Sequence, residues 1–153
     1  MIKIQDDIKQ IINSRESLKA LATIGKDGKP HLVFKGSISI NDEGFIVYDE
    51  VIENSQTNKN VLYSLWFKKE VAINILSPEK KSYQIKGIPV KTLINGSEYE
   101  KHYVAIQERH KDTDLGAVYF IEPTEIIDES FLVQKAKYEA EEPLYIHLDR
   151  LVD

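Results

Sequence analysis

Residues 53–67, ENSQTNKNVLYSLWF, hold the densest set of side chains able to bind an anion. Ser55, Gln56, Thr57, Lys59 and Asn60 supply hydroxyl, amide and ammonium donors, and no carboxylate follows Glu53 in that run. Val61, Leu62, Leu65 and Trp66 then recur at helical spacing, which puts the polar residues on the first turn of an amphipathic helix. Ser55 suits the N-cap, where its hydroxyl accepts from a first-turn N–H. A helix start also carries partial positive charge and unpaired N–H donors. With acids missing there, a phosphate monoester suits the spot, since it finds donors for its oxygens and one compact ammonium as countercharge. The same residues serve equally as a plain cap on a solvated surface, the commoner use of such a stretch. The residues alone leave both readings open.

Other reactive constellations are sparse. Cysteine is absent, which removes disulfides and thiolate chemistry and suits a reducing compartment. His31, His102, His110 and His147 lack the close spacing with acids that marks a zinc helix, so no metal site is expected. His102 and His110 read as solvated helix residues, and His31 as an exposed hairpin residue. The sequence has no nucleophile elbow, Walker loop or dinucleotide-binding glycine pattern, and no acids paired as in a glycosidase. No catalytic residue is assigned. The net charge of −5 argues against general nucleic-acid binding. No apolar run is long enough for a membrane helix, and MIKIQDDIKQII has no signal-peptide core, so a cytoplasmic location is expected.

The elements that must position these residues follow from periodicity. Ile4, Ile8, Ile11 and Ile12 line one face of an N-terminal helix. SLKALATIG reads as a strand, KDGKP as a hairpin turn with Gly28 at positive φ, and HLVFKGSISI as one strand with a bulge at Gly36. FIVYDE, VAINIL and SYQIKGIPVKTLI are further strands, the last with a bulge at Gly87. SEYEKHYVAIQERH reads as a helix, and GAVYFIE as a strand that Pro123 ends. EIIDESFLV and PLYIHL are weaker strand candidates. VAINIL and VYFI are near-continuous apolar runs, as in strands covered on both faces. Residues 1–153 form one domain of mainly β, α+β class: an antiparallel barrel with helices at its rim.

LATIGKDGKPHLV, the strand after NDEG, SQTNKNV, VAINIL and YQIKGIPV, in that order, resemble the FMN-binding split-barrel family, which is similar to pyridoxamine 5′-phosphate oxidase. The resemblance spans about Leu21 to Ile94, and PTEI at 123–126 is similar to a late segment of the oxidases. It implies FMN as cofactor, with the phosphate at Ser55, Gln56, Thr57, Lys59 and Asn60. It places the ring along Phe34, Lys35, Gly36 and Ser37, with Tyr48 and Asp49 from the next strand. Gln56 stands where relatives carry a cation, so positive charge falls to Lys59 or Lys35. Lys35 is the residue expected to tune the ring, provided it faces inward. The implied function is an oxidoreductase passing electrons from a reduced donor to a small oxidised acceptor, and the implied assembly is a homodimer sharing the flavin groove. The alternative is a non-catalytic split barrel that binds flavin or haem for electron transfer or sensing.

Overall fold

The computed structural model describes residues 1–141 and Arg150. PLYIHL and His147 lie outside the described residues. Helix α1 (Asp6–Asn13) starts on two acids that suit the positive helix end. Its apolar face enters the core through Ile12, with Ile8 and Ile11 packed beside it.

Seven strands form one antiparallel sheet: β1 (Leu18–Ile24), β2 (Pro30–Phe34), β3 (Ser39–Ile40), β4 (Ile46–Glu50), β5 (Val71–Leu76), β6 (Ser82–Leu93) and β7 (Ala117–Asp128). Their order is β2-β1-β5-β6-β7-β4-β3, so β2 and β3 are the two edges. Gly28, at φ +77°, turns the β1–β2 hairpin as the Asp-Gly pair predicts.

The sheet coils on itself around Leu21, Ile46, Tyr48, Ile73, Ile85, Tyr119 and Ile121, all essentially inaccessible to solvent. Helix α2 (Gln56–Phe67) closes one opening with Val61. Helix α3 (Ser97–Arg109) lies outside, where Ile106 packs with Val47, Leu115, Val118 and Phe120 in a second cluster. Strand β7 is therefore covered on both faces, as its continuous apolar run predicts. Strand β5 is not: Asn74 is exposed and only alternate residues are buried.

Three other expectations are corrected. The segment after Pro30 is not one strand with a bulge. The chain leaves β2 at Phe34, turns at Lys35–Ile38 and re-enters the sheet at its opposite edge as β3. Pro123 does not end β7. It sits opposite Gly87, beside a register shift at Lys86/Gly87, where the ladder needs no N–H from it. Finally, EIIDESFLV divides: its first part continues β7 and the rest opens helix α4 (Phe131–Glu141).

The turn at 35–38 is the seam where the two sheet edges meet. Lys35 N–H still donates to the Lys19 carbonyl, at 2.9 Å, extending the β1–β2 ladder. Lys19 sends its buried ammonium across to the Ile38 carbonyl at 2.8 Å. Ser37 Oγ accepts from the Asp49 N–H at 3.0 Å and donates to the Asp49 carbonyl at 3.2 Å. Side chains and one turn thus do across the seam what a strand ladder does elsewhere.

Candidate functional site

An open cleft of about 850 Å³ lies along this seam. Phe34, Lys35, Gly36 and Ser37 form one wall, and Asp49 and Val51 stand beside them. Ile106, Arg109 and His110 from the end of α3 face them, and Arg15 enters from the α1–β1 turn. Five of the residues expected at a flavin ring therefore share one cleft. The sixth, Tyr48, does not line it. Alternation along β4 turns it into the barrel, fully buried and stacked on Tyr119 with ring centroids 5.2 Å apart. Burial, then the neighbouring Glu50 carboxylate, raises the Tyr48 phenol above its ordinary range. Its hydroxyl lies beside that carboxylate without hydrogen-bond geometry to any described group.

Lys35 lines the cleft, but its ammonium is turned to Glu50. Nζ lies 3.2 Å from each carboxylate oxygen, and Glu50 is wholly buried. Glu50 Oε1 also accepts from the Ile52 N–H at 3.2 Å. The positive charge expected to tune a ring is thus paired within the protein. No local pattern marks this pair, because Lys35 and Glu50 are joined only by the seam.

The start of α2 lies elsewhere, and none of its residues lines the cleft. Ser55 is the N-cap, accepting from the Asn58 N–H at 3.0 Å. Thr57 and Asn60 face inward and are buried. Thr57 Oγ1 lies 3.1 Å from His31 Nε2, and Asn60 Nδ2 donates to Thr23 Oγ1 at 3.0 Å. Gln56 Nε2 donates to Asn60 Oδ1 at 2.8 Å. Thr57 and Asn60 thus fasten the helix to β2 and β1, and Gln56 braces Asn60 from within the helix. Gln56 and Lys59 remain exposed, the first turn holds no acid, and the N–H groups of Gln56 and Thr57 meet no described acceptor. His31 is therefore not an idle hairpin residue.

His102 is the residue that periodicity misplaced. Read as solvated, it instead sits behind the cleft with Nδ1 2.9 Å from Asp49 Oδ1. That hydrogen bond raises its pKa, burial opposes the rise, and the charges of Asp49 and Glu98 add to it. Only the packing of α3 against β4 brings the two together. Because the folded value is raised, the pair's contribution is complete below the unfolded imidazole value and is lost as pH rises through the folded value. His102→Gln should therefore lower the melting temperature more at pH 5.5 than at pH 9, with thermal melts at both pH values as the check. An equal loss at both would mean the imidazole acts by packing alone.

The described residues contain no group of three or more potential metal ligands and no helix long and apolar enough to cross a membrane. No family model and no curated protein matches the chain. Solved structures do. HupZ from Group A Streptococcus is 23% identical, with a TM-score of 0.69 over 84% of this chain and 96% of its own. An FMN-binding protein from Syntrophomonas wolfei is 11% identical, with a TM-score of 0.63 over 80% of this chain and 84% of its own. HutZ, the haem storage protein of Vibrio cholerae, is 16% identical, with a TM-score of 0.52 over 83% of this chain and 95% of its own. At such identities the likeness defines the fold: this chain is an antiparallel split β-barrel, the architecture its first hairpin and its late strand resembled.

Proposed function

We propose that this protein binds FMN and passes electrons from a reduced donor to a small oxidised acceptor. The observation that carries the reading is the seam cleft within a split-barrel fold. Its wall is a backbone turn at Lys35–Ser37, flanked by apolar Phe34, Val51 and Ile106. A flat heteroaromatic ring suits such a wall, with apolar contacts for its face and backbone groups for its polar edge. The start of α2 is the proposed phosphate site, where Lys59 and the free N–H groups of Gln56 and Thr57 supply the donors. Strand β2 links the two places. His31 touches Thr57 at one end and Phe34 lines the cleft at the other, three residues or roughly 10 Å along a strand and on opposite faces of it. Bound FMN itself supplies the electron chemistry. The chain's share is to bind, orient and shield the ring, and no nucleophile or metal is required of it.

The proposed assembly is a homodimer. Leu18, Ile24, Leu32 and Phe34 are exposed on the outer face of the β1–β2 hairpin, and Trp66 and Phe67 are exposed at the end of α2. Burying such a surface against a second copy would remove it from water. A monomer at micromolar concentration by sedimentation equilibrium would overturn this part.

The absorbance spectrum of the fresh protein, with mass identification of the released chromophore, tests the cofactor. Flavin bands and the mass of FMN support the reading, and mass separates FMN from a deazaflavin. A second reading, haem binding, is favoured by His110 at the cleft wall, because imidazole is a haem-iron ligand. An intense Soret band would select it. Colourless protein that also fails to quench added FMN would overturn both.

A further inference from the structure

Two of the chain's three arginines, Arg15 and Arg109, line the seam cleft from different elements, in a protein of net charge −5. We propose that Arg15 and Arg109 form an oxyanion clamp, so that the cleft takes a flat, partly apolar ligand ending in a carboxylate or phosphate. The inference rests on the flavin reading only for the identity of the ring, and adds the chemical class of what lies at the arginine end.

The backbone that carries each arginine is anchored, while both side chains are exposed. Arg15 stands on a tight turn between α1 and β1. Ser17 Oγ fixes that turn to the Ile11 carbonyl at 2.8 Å, and Ser14 Oγ accepts from the Glu16 N–H at 3.3 Å. Arg109 ends α3, one turn beyond Ile106, which anchors that helix end in the outer core. The chain then turns back, with Thr113 N–H on the His110 carbonyl at 3.0 Å and Gln107 donating to the Thr113 carbonyl. Neither guanidinium has a carboxylate partner among the described residues.

Asp49 is the one carboxylate among the residues that line the cleft. Glu50 is matched by Lys35, and Asp49 by His102 when the imidazole is protonated. Lys19, whose buried ammonium donates to the Ile38 carbonyl at the same seam, has its pKa lowered by burial first and then by the Arg109 charge. A planar fork that reads a carboxylate or phosphate through two parallel hydrogen bonds is the property that separates arginine from lysine. Phe34, Val51 and Ile106 line the same cleft and provide apolar surface for the ligand's body.

The oxyanion has two possible sources, the cofactor's own phosphate or the acid group of a second ligand, and the test separates them. Arg15→Gln/Arg109→Gln and Arg15→Lys/Arg109→Lys double variants are compared with the unaltered chain. Affinities for FMN and riboflavin are measured by fluorescence quenching, and those for phenyl phosphate and benzyl alcohol by calorimetry. Circular dichroism checks the fold, which exposed side chains are expected to leave intact. If the clamp, and not the start of α2, holds the cofactor's phosphate, the glutamine variant binds FMN at least tenfold more weakly and riboflavin unchanged. If it holds a second ligand, FMN is unchanged and phenyl phosphate loses at least tenfold, with benzyl alcohol unaffected. The lysine variant should fall between in either case. Folded glutamine variant with FMN and phenyl phosphate affinities both unchanged overturns the clamp. Failure of the flavin reading shows instead as absence of FMN binding in the unaltered chain, and the phenyl phosphate arm still decides the clamp.

Discussion

Replacing Lys35 with methionine should lower the unfolding free energy by about 3–5 kcal/mol, because it leaves the Glu50 carboxylate buried and unpaired. Glu50 is entirely shielded from solvent, and Lys35 contacts both of its oxygens at 3.2 Å. The Ile52 N–H cannot carry that charge by itself. From the sequence, Lys35 is expected only to tune a ring. The structure makes the pair part of the seam, joining the end of β2 to the end of β4. Urea unfolding of the variant is the measurement. The double change Lys35→Met/Glu50→Leu should recover most of the loss, since a well-packed apolar pair often replaces a buried ion pair without penalty. A single-variant loss under about 1 kcal/mol would show that the ion pair contributes little to the fold.

The second large effect is expected at Gly87. A Cβ there would stand 2.7 Å from the Glu122 carbonyl oxygen and 2.7 Å from Ile121 Cγ2. The carbonyl is backbone and cannot turn aside. Gly87→Ala should therefore force β6 and β7 apart at the register shift opposite Pro123, at a cost of about 1–3 kcal/mol. Gly36→Ala is the control. A Cβ at Gly36 meets nothing within 4 Å, and its φ is not positive. Its stability should stay within about 0.5 kcal/mol of the parent, as for an ordinary surface change. Paired denaturation curves decide, and equal losses at the two glycines would refute the steric account.

The contrast between these glycines marks how far the sequence could be read. Both sit inside apolar, strand-like runs, and both suggest a bulge. Only the neighbour across the ladder distinguishes them: β7 crowds Gly87, while Gly36 lies on a turn facing an open cleft. Pro123 misleads for the same reason. A proline ends most strands, but not one whose partner strand bulges opposite it.

Local physics determined much of this protein from sequence alone. Helical spacing of isoleucines placed α1, the Asp-Gly turn placed the first hairpin, and Ser55 capped α2 as its hydroxyl requires. The order of these signals carried the resemblance to a split barrel. Each of those features is set by residues within a few positions of one another. Tertiary structure alone decided the seam and everything placed on it. Lys19 reaches Ile38, Lys35 reaches Glu50, Ser37 reaches Asp49 and His102 reaches Asp49, over separations of 12 to 53 residues. Tyr48 was pointed inward by strand alternation, whose phase depends on which face the core occupies. Arg15 and Arg109 lie 94 positions apart in the chain and carry no shared motif. They line one cleft because the sheet's two edges are brought together at a turn, and periodicity along a chain holds no information about which edges will meet.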